Sequence, residues 1–215
     1  MNLKLSFTSI ESSLRKPLPG WEGQRLLAPE FREEEMLRMR HKMNSARQSA
    51  VLLLIYENFR ELTIPFIKRA SYDGIHSGQI SLPGGKKEET DRDFSHTALR
   101  ETHEELGIAT DDIEIVGQLS DLYIPPSNFM VKVFVGFSKH VPDFKPDAVE
   151  VDSVIQIPLR DFFRSEVVKR KAFYRSSDGK EKTAPYFDLK RAQIWGATAM
   201  ILSEFIELIR QDMVD

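Results

Sequence analysis

Apolar and polar positions alternate along this chain in blocks that predict its elements. Leu3, Phe7, Ile10 and Leu14 recur at helical spacing, which predicts a short amphipathic helix over residues 3–15. Pro17, Pro19 and Gly20 end it. Residues 18–29 (LPGWEGQRLLAP) then read as an extended, packed connector. A second helix is predicted from Pro29, with Glu33, Glu34 and Glu35 in its early turns, where the helix dipole favours acids. Ala50 to Tyr56 (AVLLLIY) is a near-continuous apolar run of strand length, the pattern of a central strand buried on both faces. Residues 63–70 (TIPFIKRA) form its hairpin partner, followed by a loop and a short strand up to Gly85. A helix is predicted from Asp93 to Leu106, with Asp91 or Asp93 as N-cap and Gly107 as C-cap. Ala98, Leu99, Thr102, Leu106 and Phe94 supply its buried side, and its glutamates point elsewhere.

Beyond that helix, residues 113–124 and 128–138 read as strands, residues 146–158 as a loop and a strand, and residues 159–163 as a helical turn. Residues 167–175 and 180–189 form a hairpin across Ser176-Ser177-Asp178-Gly179. The last amphipathic stretch, residues 194–211, presents Trp195, Ala199, Leu202, Phe205, Ile206 and Ile209 as a core stripe.

A length of 215 residues with 41% hydrophobic content suits one domain with a sizeable core. The formal charge of −3 argues against a nucleic-acid binder, which would be basic. With no cysteine the chain has neither disulfides nor thiolate chemistry. No run of about 18 apolar residues indicates a membrane span. The N-terminal stretch lacks the apolar core and cleavage site of a signal peptide, so a cytoplasmic protein is expected.

The candidate chemistry sits in residues 82–108, LPGGKKEETDRDFSHTALRETHEELGI. Residues three and four apart share a helix face, so Glu101 lies beside Glu104 and Glu105, and Arg100 beside Glu104. Like charges at that spacing repel by a few tenths of a kcal/mol per pair, and either free solvation or a bound cation relieves this. Hard divalent cations take oxygen ligands and share them with substrate phosphates.

Gly84-Gly85, an acid at Asp91, Arg100-Glu101, Glu104-Glu105 and Gly107 resemble the Nudix box, the signature of the Nudix hydrolases. The acid after the glycines is Asp, Arg100 comes one residue late, and Thr102 holds an apolar position of the box. This spacing resembles the coenzyme A pyrophosphatase-like subgroup. So does the preceding segment, in which Arg69, Ala70, Gly78, Pro83, Gly84 and Gly85 match, while Gly74 stands where the pattern has Arg and Leu82 where it has Phe. The likeness runs from about residue 50 to 210.

The resemblance implies an α/β (α+β) fold, a Nudix-type α/β/α sandwich with a mixed central sheet over residues 49–215, with residues 1–48 as a helical extension packed on it. It implies hydrolysis of a nucleoside-linked pyrophosphate with Mg²⁺ or Mn²⁺. Glu101, Glu104 and Glu105 are the implied metal ligands, with the Gly84 carbonyl as a further one and Arg100 orienting the carboxylates. The base is either a box glutamate or a distal one such as Glu150. Arg69, Gly85, Lys86 and His76 are candidate substrate contacts, and Tyr123 and Phe129 candidate stacking partners for a base. The implied substrate is coenzyme A or an acyl derivative, a small nucleotide rather than a nucleic acid or membrane. An ADP-ribose, dinucleotide or nucleotide pyrophosphatase stays open beside it, as does a Nudix-fold binding protein without catalysis. Monomer and homodimer are both compatible with the sequence.

Overall fold

In the computed structural model, which describes residues 5–70, 78–175 and 180–212, the first element is helix α1 (Phe7–Leu14). It opens with a capping box between Ser6 and Ser9. The segment expected to be an extended connector is instead helical, with α2 (Trp21–Gln24) running into a 3-10 turn over Arg25–Leu27. The reason is tertiary. Gly20, at φ 59°, reverses the chain, and Gly23 lies so close to a later helix that a Cβ would sit 2.9 Å from the Glu204 Cα. Helix α3 (Arg32–Met39) follows Pro29 with its three glutamates in the first turn, as the dipole argument predicts.

β1 (Arg47–Asn58) is the long central strand and begins just ahead of the predicted apolar run. Leu52 and Leu54 point to one face and Leu53 and Ile55 to the other, each into its own apolar cluster. A strand buried on both faces has no solvent side to alternate with, hence AVLLLIY. β1 turns through Phe59 and Arg60, at φ 48° and 65°, into β2 (Glu61–Arg69), with Asn58 opposite Glu61. β3 (Ile80–Ser81) continues the far edge of β2, and β4 (Gly84–Lys86) pairs with the start of β1. The box helix α4 (Phe94–Leu106) packs on the Leu52 face.

β5 (Ile113–Gln118), β6 (Leu122–Ile124) and β7 (Phe129–Ser138) complete one half of the sheet, and β8 (Val151–Pro158) pairs with β2 in the other half. β1 and β7 are parallel while their neighbours are antiparallel, so the eight-stranded sheet is mixed. β9 (Val168–Arg175), β10 (Lys180–Leu189) and β11 (Ala192–Trp195) form a separate three-stranded sheet. The predicted Asp178-Gly179 turn lies outside the described residues, but Arg175 faces Lys180 across it.

The last helix, α5 (Gly196–Gln211), covers the Leu53 face and is buried almost all round, from Thr198 to Ile206 without a break. Trp195, expected in its stripe, ends β11 and caps the helix instead. The result is a three-layer α/β/α sandwich. Residues before β1 share its core, since Ile10 and Leu27 lie in the same cluster as α5.

Candidate active site

The site begins at the turn between β3 and β4. Pro83 accepts a 2.9 Å hydrogen bond from the Leu52 N–H, which seats the turn on β1. At Gly84, φ 149°, a Cβ would stand 2.4 Å from the Ala50 carbonyl oxygen, and at Gly85 it would stand 2.4 Å from the Glu101 carboxyl carbon. Only glycine lets the strands close on one side and the helix carboxylate approach on the other.

Between this turn and α4 lies Asp91, 3% exposed. Asp93 is the N-cap, accepting from the His96 N–H at 2.8 Å. Asp91 therefore has a different task. Its Oδ1 and Oδ2 receive Nε and Nη2 of Arg100, each at 3.0 Å, a two-pronged pair. It also accepts from the Glu88 N–H, the Thr97 hydroxyl and His96 Nδ1, each at 2.9 Å. The Arg100 pair, ahead of the other donors, holds the Asp91 carboxyl far below the ordinary carboxylate range against the opposing effect of burial, and Asp91 in turn raises Arg100.

Arg100 then spreads over the site. Its Nη1 donates to Glu101 at 3.0 Å and to Glu104 at 2.8 Å, and its Nη2 to the Lys86 carbonyl at 3.1 Å. One guanidinium thus ties loop, strand and helix, and it orients two of the three implied metal ligands.

Glu105 departs from the expected pattern. The sequence places the glutamates away from the buried face, yet Glu105 is 1% exposed, one turn beyond buried Thr102. Thr102 fits this interior by giving its hydroxyl to the Ala98 carbonyl at 2.7 Å. Glu105 accepts the Gly84 N–H at 2.8 Å and faces Arg69 at 3.6 Å. Burial nevertheless pushes its carboxyl up to about 8, with the charges of Glu101 and Glu150 adding to the effect. Glu101 is raised as well, by burial first, against the pull of Arg100. Glu150 is exposed just before β8, and its carbonyl accepts from the Ala70 N–H at 2.9 Å, at the end of β2. Its charge reaches both Glu101 and Glu105.

Among the described residues, no three acidic or histidine side chains are already gathered at one point. Glu101 and Glu104 are turned onto Arg100, and Glu105 onto Gly84. The donor set nevertheless fits a divalent cation. It consists of hard oxygens, two of its carboxylates resist ionisation in their present surroundings, and a cation would relieve that.

The remaining candidates divide. Arg69 joins the carboxylate group through Glu105. Lys86 contributes its carbonyl, and its exposed side chain has no described role. Tyr123 is corrected: at 3% exposure its ring belongs to the core, and its hydroxyl donates to Asn128 at 2.9 Å, so it offers no open stacking face. Phe129 is partly open but carries the Arg47 guanidinium 4.1 Å from its ring centre. His76, like Gly74, lies outside the described residues. Two residues that the sequence reading passed over, His96 and Thr97, hold Asp91. Their only sequence signal is a donor five or six residues beyond an acid at a helix start.

Comparison with known proteins shows the family. A family model described as the NUDIX domain matches residues 46–176, more than half of the chain. The mitochondrial coenzyme A diphosphatase NUDT8 of Homo sapiens is 33% identical over 144 residues, covering 66% of this chain and 61% of that protein. Nudix hydrolase 15, mitochondrial, of Arabidopsis thaliana is 33% identical over 165 residues, covering 73% and 56%. The chain thus spans less than two thirds of the length of these relatives. A solved Nudix hydrolase from M. smegmatis, RenU, superposes with a TM-score of 0.51 at 11% identity over 79% of this chain and 87% of that one, a likeness of fold. Among the described residues no helix is long and apolar enough to cross a membrane. Both named relatives carry a mitochondrial designation, which lends no support to a cytoplasmic location. Glycine turn, arginine staple, carboxylate helix, sandwich fold and family match coincide, and the chain belongs to the Nudix hydrolase family.

Proposed function

We propose that the chain hydrolyses a nucleoside-linked pyrophosphate with the help of Mg²⁺ or Mn²⁺, and that its substrate is coenzyme A or an acyl-coenzyme A. The observation that carries this is Arg100 holding Glu101 and Glu104 beside buried Glu105, an acidic group with raised carboxyls on a turn of two glycines. The substrate class rests on the relatives named coenzyme A diphosphatase and on the matching Arg69-Ala70…Gly78…Pro83-Gly84-Gly85 spacing.

In the reaction, a water oxygen bonds to one phosphorus, and the bond from that phosphorus to the bridging oxygen breaks. The water proton passes to a carboxylate base. The products are 4′-phosphopantetheine, or its acyl form, and adenosine 3′,5′-bisphosphate. A divalent cation at the carboxylates supplies charge neutralisation of the diphosphate and acidification of water. Glu101, Glu104 and Glu105 would hold it, with the Gly84 carbonyl as a further oxygen. Arg100 fixes the direction of the first two. Arg69, beside Glu105 at 3.6 Å, is a guanidinium next to the carboxylates that a substrate phosphate would meet. Glu150, exposed and electrostatically coupled to both Glu101 and Glu105, serves as the distal base.

A panel of coenzyme A, ADP-ribose, NADH and diadenosine polyphosphates with Mg²⁺ or Mn²⁺, read by product chromatography, tests the substrate. Turnover is expected with coenzyme A above the others. Preference for ADP-ribose or NADH moves the assignment to a nucleotide pyrophosphatase, and no turnover of any makes the protein a binder. Glu101→Gln and Glu105→Gln are each expected to lower turnover more than about 100-fold, since several kcal/mol of charge stabilisation depends on them. Near wild-type rates in both variants would overturn the site.

A further inference from the structure

A second cleft lies on the other side of β2. Arg69 reaches Glu105 on the α4 side, whereas Lys68, one residue earlier, points to the opposite face, as alternation along a strand requires. There the outer face of β2, β3 and β8 meets the β10–β11 hairpin along an open cleft of about 600 Å³. Its apolar surface is made by Ile80, Ile155, Leu189 and Ala192. Its charged lining is Lys68, Asp188, Lys190 and Arg191.

The charges do not cancel. Lys68 is paired with Asp152 at 2.8 Å, and Asp188 with Lys169 at 2.6 Å. Lys190 and Arg191 are exposed, and no carboxylate among the described residues pairs with either. They are also in an unusual place. Leu189 faces Ala192, so Lys190-Arg191 is the entire two-residue loop of a hairpin. Such loops favour Asn-Gly or Gly-containing pairs with φ above zero. Neither Lys190 nor Arg191 has a positive φ, in contrast to Phe59 and Arg60 in the corresponding loop of β1–β2. The hairpin therefore sets two uncompensated cations, at no cost in backbone strain, at the rim of an apolar cleft.

We propose that this cleft is an anion site for a phosphomonoester carried on a flat apolar body, such as a nucleoside monophosphate. Lys190 and Arg191 hold the phosphate, and Ile80 and Ile155 pack against the body. Guanidinium and ammonium groups suit a phosphate with a single attachment, which presents three free oxygens. The site is independent of the hydrolytic reaction proposed above, because it shares no side chain with the carboxylate group.

The test uses the full chain in EDTA, so that no divalent cation supports phosphate binding at the carboxylates. AMP, adenosine and inorganic phosphate are titrated separately, with amide shifts read by ¹⁵N NMR. AMP is expected to bind at least about 10-fold more tightly than either fragment and to shift the amides of Ile80, Ile155 and Ala192. The double variant Lys190→Gln/Arg191→Gln, on an exposed loop, should lose at least about 10-fold in AMP affinity and keep its coenzyme A turnover. Glu105→Gln should leave AMP binding to the cleft unchanged. Shifts confined to Gly84–Lys86 and α4, equal affinity in the double variant, or no AMP binding each overturn the proposal. A failed coenzyme A assay with intact AMP binding would count against the reaction alone.

Discussion

Asp91→Asn is the sharpest perturbation of the site, because it keeps shape and removes only charge and one acceptor. In the native chain both carboxylate oxygens are committed to donors: Oδ1 to Arg100 Nε and His96, Oδ2 to Arg100 Nη2, Thr97 and the Glu88 N–H. An amide has one oxygen and one NH₂, so either orientation aims its NH₂ at donors. Removing one partner of a buried pair costs about 3–5 kcal/mol. Arg100 is partly exposed and keeps Glu101, Glu104 and the Lys86 carbonyl, and Thr97 keeps the Asp93 carbonyl, which brings the expected loss to about 2–3 kcal/mol. For a domain of this size that is a fall in Tm of about 4–12 °C.

The sign of the pH dependence follows from the lowered carboxyl. A group whose folded pKa is depressed contributes stability that is present above its unfolded value, about 3.9, and lost as pH falls toward the folded value. Urea denaturation of both proteins should therefore show a constant gap from pH 8 to about pH 5 that narrows below about pH 4. Turnover should fall at least about 10-fold as Arg100 loses its anchor. A gap below about 1 kcal/mol at pH 7, or one that persists undiminished in acid, would refute the staple.

Other expectations follow from individual contacts. Gly85→Ala places a methyl 2.4 Å from the Glu101 carboxyl carbon, so it should cost at least about 10-fold in turnover while urea stability stays within about 1 kcal/mol, because the obstructed atoms are a side-chain tip. Glu204, 0% exposed on α5, accepts from the Gly20 and Ser120 N–H groups and from Gln24; Glu204→Ala orphans the two N–H groups, leaves Gln24 only the Ser120 carbonyl, and should destabilise by about 2–4 kcal/mol, read by denaturant titration. Phe59, 94% exposed, and Arg60 both hold positive φ; Phe59→Asn with Arg60→Gly should stabilise the chain by about 1–2 kcal/mol without changing activity, and a loss of stability would contradict the turn assignment.

Much of this protein is written locally. The box helix ends where Gly107 at φ 72° ends it, β1 spans its apolar run, and the Gly84-Gly85 turn and the adjacency of Arg100, Glu101 and Glu104 follow from spacing alone. Each depends on backbone periodicity or a turn requirement, which a few neighbouring residues determine. The rest depended on what packs against what. Nothing within E-T-H-E-E says that Glu105 is buried and Glu104 exposed, because that is decided by β4 closing over one side of α4. Asp91 and Asp93 are equally good caps by sequence, and only the arrival of Arg100 from two turns along α4 separates cap from staple. Tyr123 looked available for stacking until the sandwich enclosed it. The connector at 18–29 looked extended until α5 gave Gly20 and Gly23 a surface to fold on. Burial is a property of pairs of elements distant in the chain, and it sets both the charge state of Glu105 and the direction in which each candidate residue acts.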